Sequence, residues 1–164
     1  SMRTPMSFGV GEVLFSSAFR ITPQEVAAWE RAKVLGGRDD RPSFRSRLER
    51  PPRAGSPVSS ELVLARALGA IEHSSGLGGC QLEQTSAGKL RSLGQVSIGE
   101  PLSSIATVRY RSAPELDGAD EHCFLTLVIE IRGGGRKLAE VEVGVEVVGP
   151  APIQPSERSC ASAV

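Results

Sequence analysis

The stretch 56-SPVSSELVLARALGAI-71 decides how this chain folds. Pro57 and Ser59 suit a helix start, because proline has no amide donor to lose and a serine hydroxyl can accept a bond from an orphan amide. Glu61 falls in the first turn, where its charge meets the positive end of the helix dipole. Leu64, Leu68 and Ile71 recur at helical spacing, and Leu62, Ala65 and Ala67 widen the apolar stripe until only Arg66 and Glu72 break it. A helix this apolar is expected to be buried on most sides. Ala65, Ala67, Gly69 and Ala70 are small, so a strand surface could approach the helix backbone closely.

Upstream of this helix, Gly9 to Ala18 reads as a short opening strand. Thr22 then stands at an N-cap, Pro23 at the first helical position and Glu25 three residues after the cap. Together these make a capping box, with Ile21 and Val26 placed for a hydrophobic staple. The helix so begun runs from about Pro23 to Val34, and its narrow apolar face of Val26, Trp29 and Ala32 puts it on a surface. Residues 35–56 show no sustained period and carry Gly36, Gly37, Pro42, Pro51, Pro52 and Gly55. A connection this long is usually either functional or disordered. Basic residues outnumber Asp39, Asp40 and Glu49 there, which fits a solvated loop or a landing site for a phosphate or an acidic partner surface.

Downstream, residues 74–89 are rich in Gly, Ser and Gln and are expected to form a crossing loop. Strands are predicted over Lys89–Ile98 and Leu102–Arg111 around a Gly99-Glu100-Pro101 turn, and over His122–Arg132 and Leu138–Val148 around Gly133-Gly134-Gly135. In the last of these Val141, Val143, Val145 and Val147 alternate with Glu140, Glu142, Gly144 and Glu146, the pattern of a half-buried strand.

At 164 residues the chain is read as one domain over residues 9–149, with an N-terminal extension over 1–8 and a flexible tail over 150–164. Lys+Arg and Asp+Glu are equal at 19 each, so no net field gathers nucleic acid or an anionic membrane. No apolar run reaches a membrane span, and residues 1–20 lack a signal-peptide pattern. Cys80, Cys123 and Cys160 are odd in number and without C-x-x-C spacing, which speaks against a disulfide framework and a zinc site. The expected compartment is a reducing cytoplasm, and no metal or cofactor is expected.

Opening strand, surface helix, long loop, buried helix and four or five antiparallel strands give an α+β layout, the hot-dog fold, in which a sheet wraps one central helix. Within it the chain resembles the MaoC-like, R-specific enoyl hydratase family over residues 9–149. Gly99-Glu100-Pro101-Leu102 is similar to that family's G-D-T-L turn, preceded by Gln95-Val96-Ser97-Ile98 where the family has P-V-x-P. Phe19-Arg20-Ile21-Thr22 before a helix is similar to its opening.

The resemblance implies chemistry carried by a D-x-N-P-x-H segment, whose Asp and His polarise a water and move a proton next to a thioester carbonyl. Here Asp39 takes the aspartate position and Pro42 the proline, but Arg41 replaces the asparagine and Phe44 the histidine. A phenyl ring cannot exchange a proton, so the dyad is broken. The family's A-H-G turn falls on Ser59-Ser60-Glu61, and the helix glutamate of a related dehydratase branch falls at about Arg66. Asp39 and Asp40 are therefore the candidate acids or bases, with Phe44, Ser59 and Ser60 as candidate substrate contacts around one cavity. His73 and His122, each at an element end, read as capping or surface residues. Two functions follow from the resemblance. One is an enzyme performing a dehydration, isomerisation or cyclisation on an acyl or polyketide-type thioester carried by coenzyme A or an acyl carrier protein. The other is a non-catalytic subunit that binds an acyl chain or completes a partner's active site. A homodimer, or a heterodimer with another hot-dog subunit, is expected because a lone sheet leaves an edge strand open.

Overall fold

The computed structural model describes residues 2–37, 52–74 and 77–152. A single 3-10 turn at Pro5–Ser7 leads into β1 (Val13–Phe19), α1 (Pro23–Gly37) and α2 (Ser60–His73). Then come β2 (Gln81–Ala87), β3 (Arg91–Ser92), β4 (Leu102–Arg111), β5 (Glu115–Asp117), β6 (Asp120–Gly133) and β7 (Arg136–Pro150). Every pairing is antiparallel, in the order β1-β4-β6-β7-β2, with β3 added to β7 and β5 to β6.

The alternation seen in the sequence becomes the two faces of the sheet. Val141, Val143, Val145 and Val147 of β7 are at most 1% exposed, as are Leu125, Leu127, Ile129 and Ile131 of β6. Each such side chain contributes about 1.5–3 kcal/mol when taken from water. Gly134 and Gly135 close the β6–β7 hairpin at φ of 60° and 75°, a region that L side chains avoid. Onto the inner face α2 presses Leu62, Val63, Ala67 and Ile71.

Both helix starts are built as their residues dictate. The Glu25 amide donates to Thr22 Oγ1 at 3.1 Å and the Thr22 amide donates to Glu25 Oε2 at 2.9 Å, completing the capping box. Ile21 and Val26 beside it are buried. Ser59 caps α2, its Oγ accepting the Leu62 amide at 3.3 Å. The turn at Gly99, with φ of 86°, ties the two layers: its amide donates to the Ile21 carbonyl at 2.9 Å, and Arg20 Nη1 donates back to the Gly99 carbonyl at 3.1 Å.

Three expectations are corrected. First, α2 is not buried on most sides: Ala65, Gly69 and Ala70 are partly exposed, and β1, an edge strand paired only with β4, stands off that flank instead of closing on it. Second, the expected crossing loop over residues 74–89 contains β2, an edge strand whose side chains face water except for Leu82. Third, Lys89–Ile98 is largely not strand. The Leu93 and Gly94 amides both donate to the Leu138 carbonyl, which ends the ladder after Arg91–Ser92. Residues 2–8, read from the sequence as an N-terminal extension, pack against the sheet. Phe8 is fully buried, Arg111 Nη1 donates to the Phe8 carbonyl at 3.1 Å, and the Met6 amide donates to Oε1 of Glu121 at 3.0 Å. That bond gives a partner to a carboxyl that is only 2% exposed.

Candidate functional site: a cavity between the edge strand and the central helix

Because β1 stands off α2, a cavity of about 690 Å³ opens between them. Phe15 and Phe19 line it from β1, and Arg66, Gly69, Ala70 and His73 line it from α2. The helix residues recur at spacings of three and four, so they share one face. Gly69 and Ala70 form a floor without bulk, and a Cβ built on Gly69 meets nothing within 4 Å.

Arg66 and His73 are the ionisable side chains of this slot. Arg66 Nη1 donates to Glu25 Oε1 at 2.7 Å, and the guanidinium lies 5.3 Å from the Phe19 ring centroid, within cation–π range. Glu25 thereby holds Arg66 with one oxygen while its other oxygen stays in the cap of α1. His73, two turns further along α2, stands with Ser74 and Leu77 at the opposite end. The ionisable groups of the described lining are both basic; no carboxylate is among them.

The expected site residues fall as follows. Asp39, Asp40 and Phe44 lie outside the described residues. Ser59 is exposed and its hydroxyl is engaged by the Leu62 amide. Ser60 lines a second cavity of about 190 Å³, with Val58, Val63, Gln95 and Ala139, between the start of α2 and β3. Neither serine reaches the larger cavity. His122 lies on the outer face of β6, with Nδ1 3.4 Å from Glu146 and Nε2 3.7 Å from Glu115. Arg66 and His73, set aside in the sequence, are the ionisable residues that line the larger cavity. Their spacing with Gly69 and Ala70, small residues between two basic ones on one helix face, was the available signal.

Cys80 and Cys123 are buried, and burial pushes both thiols above the usual cysteine range, which disfavours the nucleophilic thiolate. Among the described residues no group of three His, Cys, Asp or Glu could hold a metal ion. No described helix is long and apolar enough to cross a membrane.

Sheet order, central helix and flanking cavity define a hot-dog protein. Solved structures sharing this fold include a monoamine oxidase regulatory protein from Archaeoglobus (TM-score 0.61, 16% identity, 92% of this chain and 97% of that one). A MaoC-like dehydratase from Rhodospirillum rubrum is similar too (TM-score 0.56, 17% identity, 90% and 97%), as is an (R)-hydratase from A. caviae involved in PHA biosynthesis (0.52, 21%, 88% and 98%). At these identities the likeness establishes the fold. Neither a protein-family model nor a curated protein matches the chain.

Proposed function

We propose that this chain acts on acyl thioesters and seats the acyl chain in the cavity between β1 and α2. The observation that carries this reading is the cavity itself, whose volume falls within the range of about 300–1,000 Å³ typical of small-molecule sites and whose floor is kept open by Gly69 and Ala70. The hydratase and dehydratase names of two solved structures with the same fold support the same chemistry. The reaction we assign is a dehydration, isomerisation or cyclisation of an acyl or polyketide-type chain on coenzyme A or a carrier protein, with Asp39 or Asp40 as the acid or base in place of the lost dyad. A dimer, with itself or with another hot-dog subunit, belongs to this reading.

A second reading, a non-catalytic acyl-binding subunit, is favoured by one observation: no carboxylate is among the described residues that line the cavity. Both readings need the cavity, and Gly69→Leu tests it. The added side chain enters open space and removes a helix-interior glycine, so the fold should hold while octanoyl-CoA binding, followed by titration calorimetry, is lost. Unchanged binding by this variant overturns the assignment of the cavity.

A further inference from the structure

The cavity has an electrostatic character that an ordinary fatty acyl chain does not require. Its floor and walls are apolar or small, yet each end carries a basic residue and the described lining supplies no acid. Arg66 and His73 are seven residues apart on α2, which separates them by about 10 Å along the helix axis. Among the described residues Arg66 engages one nitrogen, Nη1, with Glu25, and its guanidinium is steadied against Phe19. A guanidinium carries five donors in a planar fork suited to a carboxylate. It is 44% exposed, so the ligand can reach those donors from the cavity without first breaking a buried network.

We propose that the ligand of this cavity is an acyl chain bearing its own acid group, a carboxylate that the Arg66 guanidinium binds while the chain lies over Gly69 and Ala70. This rests on the acyl-binding reading of the cavity and adds the substrate's charge to it. Glu25 then acts as a positioning residue: it aims Arg66 and competes with the ligand for it.

The test compares octanoate with octan-1-ol, matched in chain and different in charge, by titration calorimetry on the full chain and on Arg66→Gln, Glu25→Gln and Gly69→Leu. Free coenzyme A serves as a probe for carrier phosphates. The wild-type chain should bind octanoate about tenfold more tightly than octan-1-ol, as a charge-assisted bond at a partly exposed site allows. Arg66→Gln should remove that preference and leave octan-1-ol binding in place. Glu25→Gln, which keeps the capping geometry but frees the guanidinium, should strengthen octanoate binding. Equal affinity for the two ligands in the wild-type chain, or a preference that survives Arg66→Gln, overturns the inference. So does an Arg66→Gln variant that loses coenzyme A and keeps octanoate, since the anion would then belong to the carrier. Octan-1-ol binding that is abolished by Gly69→Leu preserves the cavity assignment even if the charge inference falls; binding of neither ligand to the wild-type chain ends both.

Discussion

Glu25 closes the start of α1 with one carboxylate oxygen, 2.9 Å from the Thr22 amide, and holds Arg66 with the other at 2.7 Å from Nη1. One side chain therefore links the end of a helix to the wall of a cavity. Glu25→Ala should lose both contacts and lower stability by about 1–2 kcal/mol, most of it from the cap because the ion pair is partly exposed. For a chain of this size each 1 kcal/mol corresponds to a fall in Tm of about 2–4 °C. Glu25→Gln should recover most of that loss in thermal unfolding, and an equal loss in the two variants would show that the cap is not the main term.

Gly149 in β7 and Cys80, the residue before β2, are packed without slack. A Cβ at Gly149 would stand 2.5 Å from Cys80 Sγ and 3.2 Å from Pro5 Cδ. Gly149→Ala should destabilise the fold by about 1–3 kcal/mol, the usual range for overpacking. Adding Cys80→Ala removes the sulfur and should return part of that loss. Denaturant unfolding of the single and double variants measures the coupling, and strictly additive effects would contradict the contact.

Glu12 gives a pH dependence of known sign. Arg3 donates to it through Nη2 at 2.9 Å, and the Gly9 amide adds a bond at 3.0 Å, so its carboxyl is held below the usual carboxylate range. A depressed folded pKa means that the contribution is complete above the unfolded value, from about pH 5 upward, and disappears as pH falls through the folded value. Glu12→Gln should therefore be less stable than the wild-type chain near neutral pH, with the gap closing in acid. A gap of the same size in acid and at neutrality would refute the assignment.

Ordinary enoyl hydration should be weak or absent. Losing a general acid or base lowers rate by about 10²–10⁴-fold, and the resemblance read from the sequence puts Phe44 where that family has its histidine. Incubation with crotonyl-CoA, followed by loss of the enoyl absorbance, decides this. Asp39→Asn and Asp40→Asn, made separately, should show which carboxyl is the acid, because turnover of an acyl substrate falls sharply in that variant and not in the other; unaltered turnover in both would remove both aspartates from the mechanism, and binding of the acyl chain without any turnover by the wild-type chain would favour the non-catalytic reading.

The sheet ends at β1 and β2, and on β1 the edge residue Val13 is 54% exposed. Two such edges invite pairing. Light scattering at micromolar concentration should give twice the chain mass of 17.3 kDa, and a monomer would count against the expected dimer.

The parts of this fold that could be read from the sequence are those whose signal is local. Thr22 and Glu25 are three residues apart and bond each other, and the valines of β7 alternate because one side of a strand meets the core. The edge strand β2 was hidden because its exposed residues, among them Gln81, Glu83 and Gln84, look like a loop and only Leu82 is buried. The cavity was hidden for a different reason. Small residues on a helix signal room beside its backbone, and whether a strand fills that room or leaves it open depends on how far β1 stands off, which is a tertiary outcome. Phe8 likewise gave no sign that it would be buried under strands more than a hundred residues away in sequence.

That last contact bears on how the chain comes to be folded in time. Phe8 and Met6 are held by Arg111 and Glu121, and Ser16 of β1 faces Ile105 of β4, so the beginning of the chain depends on its second half. Contacts of such long sequence separation are slow to form, whereas the β6–β7 hairpin needs only its own turn. Since a chain leaves the ribosome from its N-terminus, Phe8, Phe15 and Phe19 emerge well before the strands that shelter them have been made. The contacts of β6 with β7 are local by comparison, whereas those of Phe8, Phe15 and Phe19 wait for strands made after them.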